Sequence, residues 1–222
     1  MTYDASFKDI FGSIVREKNL LVFSSVKVGK LPLEIDMVLE RRSNTDFSLV
    51  LPLKRIFEES EANRLIVEFK SKAEGLSISH VRRLIAYRQL YLMTEDQWDA
   101  KGTSHLIFMV STPRKLLKRL DAQTLSQGIY RFVFDRNDMF MIVANDLPIS
   151  RETLGLAIFT NSIRKSRELI DLLLQNPAEE RFLSFFMVVN YGTTIKVLKE
   201  KGMSSGSIIM KNIRMAINDL GL

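Results

Sequence analysis

The sequence predicts an α/β fold, a mixed central sheet flanked by helices with a C-terminal helical extension. Three observations lead there. Apolar stretches of strand length recur between residues 21 and 144. A segment of helical period at 79–94 separates two of them, as in a strand–helix–strand crossover. From residue 150 onward the pattern is helical, interrupted at Gly192 and over 202–207. The expected division is a first domain at 1–148 and a helical region at 149–222 that packs on the core or on a partner subunit.

The elements follow in order. Residues 3–18 carry Phe7, Ile10, Phe11, Ile14 and Val15 at helical spacing. Residues 21–28 and 31–41 read as two strands around a turn at Gly29-Lys30, so a hairpin is expected. Residues 43–63 are polar and contain Pro52, which predicts an excursion with a short helix near 53–60. A third strand spans 65–72, a helix 79–94 and an apolar strand 105–111. Residues 113–120 form a short basic helix with Pro113 in its tolerated first turn. Residues 130–134 and 139–144 pair around turn residues 135–138.

Composition narrows the class. A chain of 222 residues suits one domain, or one domain with an appended helical piece. Hydrophobic residues at 46% supply a sizeable core. The absence of cysteine excludes disulfides and thiolate metal sites, and fits a reducing cytoplasm. Apolar runs such as 106–110 are too short to span a membrane, and the polar N-terminus does not read as a secretory signal. A cytoplasmic protein with no membrane partner is therefore expected. The net charge of +6 leans mildly toward polyanionic partners.

The chemistry concentrates on two strands. Alternation along 33–40 puts Leu33, Ile35, Met37 and Leu39 on one face and Glu34, Asp36, Val38 and Glu40 on the other. Along 65–70, Ile66, Glu68 and Lys70 share a face. If the two strands pair, Asp36 stands next to Glu68. Two adjacent carboxylates repel each other, and a hard divalent cation between them relieves the repulsion. A lysine on the same face can hold an attacking water or stabilise charge developing on a phosphate. The E-x-K spacing has that reason, since both groups must point into one site from one strand.

These residues resemble a known family. Asp36 in LEIDMVLE and Glu68-Phe69-Lys70 in LIVEFKSK are similar to the PD-(D/E)XK nuclease superfamily. The run from Asp4 through Phe7, Lys8 and Phe11 to Gly12 resembles the D-x-x-F-K-x-x-F-G opening of its recombination-promoting nuclease and transposase-like branch. Residues 83–91 resemble that branch's helix after the catalytic strand, and the likeness covers about residues 3–111. The resemblance implies a restriction-endonuclease-like core at 1–148 and Mg²⁺-dependent hydrolysis of DNA phosphodiesters, with Mn²⁺ substituting. It implies Asp36 and Glu68 as metal ligands, Lys70 as catalytic lysine and Asp4 as a supporting acid. Residues 43–63 lengthen the link between the catalytic strands, and Lys70 stands where the branch often has Gln. A nuclease-fold module that binds DNA or regulates without cleaving is the alternative.

Arg82, Arg83 and Arg88 sit on the 79–94 helix with no acid between 81 and 93, which fits contacts to a DNA backbone or a solvated face. Tyr87 and Tyr91 read as core packing. His80 and His105 lack metal-ligand spacing and read as non-catalytic. Residues 196–202 and 204–220 resemble two helices around a turn, with few basic residues. The apolar run 182–189 suits a buried helix or an interface. Oligomeric state stays open, a homodimer or higher homo-oligomer being one route to cutting both strands.

Overall fold

The computed structural model describes residues 3–28, 33–71, 76–94, 102–176 and 179–202, with only the backbone at Tyr3, Asp4, Leu33, Thr94 and Glu180. The Gly29-Lys30 turn and the second helix expected at 204–220 lie outside the described residues. The rest is α/β. Helix α1 (Tyr3–Glu17) leads into strands β1 (Leu21–Val28) and β2 (Leu33–Glu40). Helix α2 (Leu51–Glu59) precedes β3 (Arg64–Lys70), and α3 (Ile78–Thr94) connects β3 to β4 (Thr103–Met109). Helix α4 (Arg114–Arg119), with Pro113 as its N-cap, is followed by β5 (Gln123–Ser126), β6 (Ile129–Phe134) and β7 (Asn137–Val143). Helices α5 (Leu154–Ala157), α6 (Ile163–Gln175), α7 (Glu180–Val189) and α8 (Tyr191–Glu200) complete the described chain.

The described strands form one mixed sheet in the order β1-β2-β3-β4-β7-β6-β5. Strands β3, β4 and β7 are parallel neighbours at its centre. They read as near-continuous apolar runs because helices cover both of their faces. The outer strands pair antiparallel. Strand β5 was not expected from the sequence. It has four polar or half-buried residues on the sheet edge and carries no apolar signal.

Two clusters mark the two faces. Val67, Phe69, Leu106, Phe108, Phe140 and Ile142 pack with α1, α2 and the C-terminal helices. Ile66, Ile107, Met109, Met139 and Met141 pack with Val81, Leu84, Tyr87 and Tyr91 of α3 and with the leucines of α4. Tyr87 and Tyr91 are thus core residues. The C-terminal helices close the first face, since Phe159, Leu169, Phe182, Phe186 and Leu198 share one cluster with Phe7 and Phe11 of α1. Gly155 permits that closure, because a Cβ there would lie 2.8 Å from both Ile14 Cγ2 and Val50 Cγ1.

Two local expectations need correction. Ile35 does not share a face with Met37 and Leu39, but packs in the α3-side cluster with Val38. The ladder explains this. Ser24 pairs with Met37 and Val26 with Ile35, while no Ser25–Asp36 pair forms. Ser25 has φ 56°, a left-handed conformation uncommon for a residue other than glycine. The kink breaks period two on both strands at Asp36. The second correction concerns Gly192, which lies inside α8. The helices break two residues earlier at Asn190, whose side chain donates to the Thr160 carbonyl at 2.9 Å.

Among the described residues no helix is long and apolar enough to cross a membrane. Phe7 is fully buried. Its replacement by Ala is expected to cost about 3–5 kcal/mol of unfolding free energy in urea titrations. Phe23 on edge strand β1 is 46% exposed, and Phe23→Ala is expected to stay within about 0.5 kcal/mol.

Candidate active site

The site forms where β2 and β3 part. Their ladder runs from Glu40↔Arg64 to Met37↔Val67 and stops one residue before Asp36 and Glu68. Beyond that point a side chain replaces the ladder. The Phe69 amide donates to Asp36 Oδ2 at 2.9 Å. Asp36 is thereby held against β3 beside Glu68, whose carboxyl feels the Asp36 charge.

Alternation on β3 places Glu68 and Lys70 on the face under α3, opposite Phe69. They form an ion pair, with Lys70 Nζ 2.6 Å from Glu68 Oε1 and side-chain exposures of only 8% and 7%. Helix α1 contributes from the other face. Lys8 Nζ lies 3.1 Å from Asp36 Oδ1 and 3.3 Å from Glu34 Oε1, and it reaches the Ser25 hydroxyl at 3.5 Å. Helix α3 adds the buried Tyr87 and, one turn earlier, the exposed Arg83. Arg83 acts on both Glu68 and Tyr87.

The electrostatics agree with this layout. Burial pushes the Glu68 carboxyl above its ordinary range, and the Asp36 charge pushes it further. Lys70 and Arg83 oppose the shift. Burial also raises the Tyr87 phenol, with the Glu68 charge adding to it. Glu34 is held below the usual carboxylate range, first by the Ser25 hydroxyl and then by Lys8.

Of the residues expected from the sequence, Asp36, Glu68 and Lys70 come together. Asp4 lies in the first turn of α1, and its side chain is outside the described residues. Arg82 and Arg83 are exposed on α3. Arg88 does not join them, because its Nε donates to the Thr103 carbonyl at 2.9 Å, and burial lowers its pKa. Its visible task is to tie α3 to the start of β4. Lys8 was not given a role by sequence reasoning. The signal available was its place in the α1 motif, one turn after Asp4 and next to the core residue Phe7.

Two carboxylates that feel each other's charge, one of them buried, are a hard-oxygen donor pair of the kind Mg²⁺ accepts, its remaining positions filled by water and phosphate. Lys70 already compensates Glu68, and Lys8 is shared between Asp36 and Glu34. Among the described residues no three Asp, Glu or His side chains converge as a metal-binding group.

The histidines stay outside this site. His80 Nδ1 is 2.8 Å from the Ser77 hydroxyl at the start of α3. His105 is buried in β4. Burial, followed by the nearby Arg88 charge, lowers its pKa to about 4. The Asp138 backbone opposes that shift, but its geometry falls short of a hydrogen bond, and neither ring nitrogen has a partner among the described residues.

No family model, curated protein or solved structure matches this chain.

His105 gives a pH prediction. Its folded pKa of about 4 lies below the ordinary 6.5, so the unfolded chain binds the extra proton between those values. Its contribution is complete above pH 6.5 and is lost as pH falls toward 4, by about 3 kcal/mol in total. Glu68 acts with opposite sign, since its raised pKa favours the folded state at acid pH. Urea titrations across this range should show a flatter pH slope for His105→Leu than for wild type.

Proposed function

We propose that this chain is a Mg²⁺-dependent endonuclease of the PD-(D/E)XK kind that hydrolyses DNA phosphodiester bonds. The observation that carries the proposal is the convergence of Asp36 with the buried Glu68–Lys70 pair at the parting of β2 and β3. A restriction-endonuclease-like arrangement of the α/β core belongs to the same proposal.

In this reading Asp36 and Glu68 hold the cation. Bound there, Mg²⁺ supplies charge for the scissile phosphate and acidifies a water. Every other contribution comes from the chain. Lys70 is nearly desolvated, so its charge acts in a low effective dielectric and is worth more than in water. It is placed to hold the attacking water or to stabilise charge growing on a phosphate oxygen. The Phe69 amide fixes one Asp36 oxygen and leaves the other facing Lys8. Lys8 orients Asp36 through their ion pair. Arg82 and Arg83, exposed on α3, suit contacts to the flanking phosphates, which position a duplex and make affinity salt-dependent. Cutting both strands would bring a second copy of the chain to the substrate.

A second reading is a catalytically inactive nuclease-fold module that binds DNA or regulates. The Lys8–Asp36 ion pair favours it. Lys70 on Glu68, and Lys8 shared between Asp36 and Glu34, offset much of the carboxylate charge without a metal.

Plasmid nicking and linearisation with Mg²⁺ or Mn²⁺ separates the two. The wild type should cleave, while Asp36→Ala and Glu68→Gln should cleave nothing and keep wild-type circular dichroism. The isosteric amide is preferred at Glu68 because its carbonyl oxygen can still accept from the buried Lys70 ammonium, whereas Ala would leave it without that acceptor. Lys70→Ala should lose on the order of 10²–10³ in rate. Salt-sensitive DNA binding without cleavage under either metal would establish the second reading. A D36A protein as active as wild type would exclude this mechanism.

A further inference from the structure

The parallel strands end in a second polar site. Lys70, Met109 and Val143 form one row across β3, β4 and β7. Three residues past the ends of β4 and β7 stand Thr112 and Asp146. They line a cavity of about 600 Å³ with Arg114, Tyr130, Arg164 and Lys165. In open α/β sheets the crevice beyond the carboxyl ends of parallel strands is where ligands bind. The volume is in the range of small-molecule sites.

The cavity wall is built and its charge is unbalanced. Asp146 is the organiser. It accepts the Thr112 hydroxyl at 2.7 and 2.9 Å and the Tyr130 hydroxyl at 2.8 Å. Burial, then the bonded Asp146, raises the Tyr130 phenol to about 12, so this wall keeps its proton and its shape at neutral pH. Behind it, Asn145 accepts from the Thr160 hydroxyl at 2.8 Å and from the Asn161 amide at 3.0 Å. Gly128 lets the β5–β6 turn close against Leu147. It has φ 79°, and a Cβ there would sit 2.6 Å from the Leu147 amide nitrogen.

Three cations face that one carboxylate. Lys165 is buried, and its Nζ donates to the Leu147 carbonyl. Arg164 is exposed and, among the described residues, makes only an i,i+4 pair with Glu168 at 3.6 Å. The Arg114 guanidinium makes no ion pair or hydrogen bond among the described residues. The lining residues carry three cations against Asp146, with Glu168 partnering Arg164 from the next turn of α6, which leaves a positive excess suited to a phosphate monoester near neutral pH. Arginine forks match phosphate oxygens in geometry as well as charge.

We propose that this cavity is a phosphate-monoester site sized for one nucleotide, with Arg114, Arg164 and Lys165 holding the phosphate. It shares no residue with the Asp36–Glu68 cluster and does not depend on the nuclease reading. The same chemistry is offered by a free mononucleotide and by the phosphorylated end of a nucleic-acid strand.

Calorimetric titration of the whole chain in EDTA tests it. Adenosine monophosphate should bind at one site, and adenosine should not. Arg114→Ala/Arg164→Ala should weaken that binding at least about tenfold, as loss of charge-assisted hydrogen bonds requires. Both arginines are solvent-facing, so the thermal midpoint should stay at the wild-type value. Asp36→Ala should bind the nucleotide as wild type does, which separates this site from the proposed active site. Tighter binding of a 5′-phosphorylated oligonucleotide than of its unphosphorylated twin would assign the strand end. Equal oligonucleotide binding, with the monophosphate retained, would assign the free nucleotide. Equal binding of adenosine and its monophosphate, no binding of either, or a double variant that binds as wild type would overturn the proposal.

Discussion

The stacking of Phe7 on Phe69 sets the geometry of everything around it. The rings lie 3.9 Å apart between centroids and 16° from parallel, in an aromatic group with Phe108 and Phe159. Phe69 is the middle residue of the E-x-K triplet. Because its ring goes into the α1 face, Glu68 and Lys70 go to the other. Its amide holds Asp36. On the opposing side, Phe7 precedes Lys8, so the same contact delivers Lys8 to Asp36. One apolar contact between a helix and a strand therefore places four charged side chains. It also joins the C-terminal helices to the site, since Phe159 packs edge-on against Phe7.

The charged cluster is costly where it stands. Removing Glu68 and Lys70 from water is repaid only by their close pairing, and buried pairs often add little net stability over apolar packing. Glu68 carries the mark of that cost in its raised pKa. Ser25 adds another, with a left-handed backbone opposite Asp36. Such features persist when surrounding structure enforces them, and they concentrate at functional sites. Here the enforcing structure is the fully buried aromatic group on one face and the α3 cluster on the other.

Both polar centres use the same property of the sheet. Strands β3, β4 and β7 run parallel, so their carboxyl ends share one edge. Helices cover the two faces and leave that edge as the place where polar groups can gather without breaking the core. The Glu68–Lys70 pair lies just inside the edge on β3, and the Asp146 wall lies just beyond it after β4 and β7. Their protection differs. The first is covered by α3, whereas the second opens between α4 and the first turn of α6.

Much of this was legible in the sequence. The helical spacing of Phe7, Ile10, Phe11 and Ile14 gave α1, and the apolar runs gave the central strands, because burial on two faces leaves a strong pattern. The face shared by Glu68 and Lys70 followed from alternation alone, since β3 is regular. Alternation failed at Ile35, where a kink at Ser25 shifts the phase, and nothing in the local composition announces a left-handed serine. Strand β5 was invisible because an exposed edge strand needs no apolar residues. Arg88 looked like its neighbours on α3, and only the position of the Thr103 carbonyl separates it from them. The residue types of the candidate site are thus a property of the sequence. Tertiary structure alone decided that β2 pairs with β3 up to Met37, that Lys8 reaches Asp36 from another element, and that Thr112, Asp146 and Lys165 meet in a cavity. Those contacts join residues far apart in the chain, where no local period or spacing can encode them.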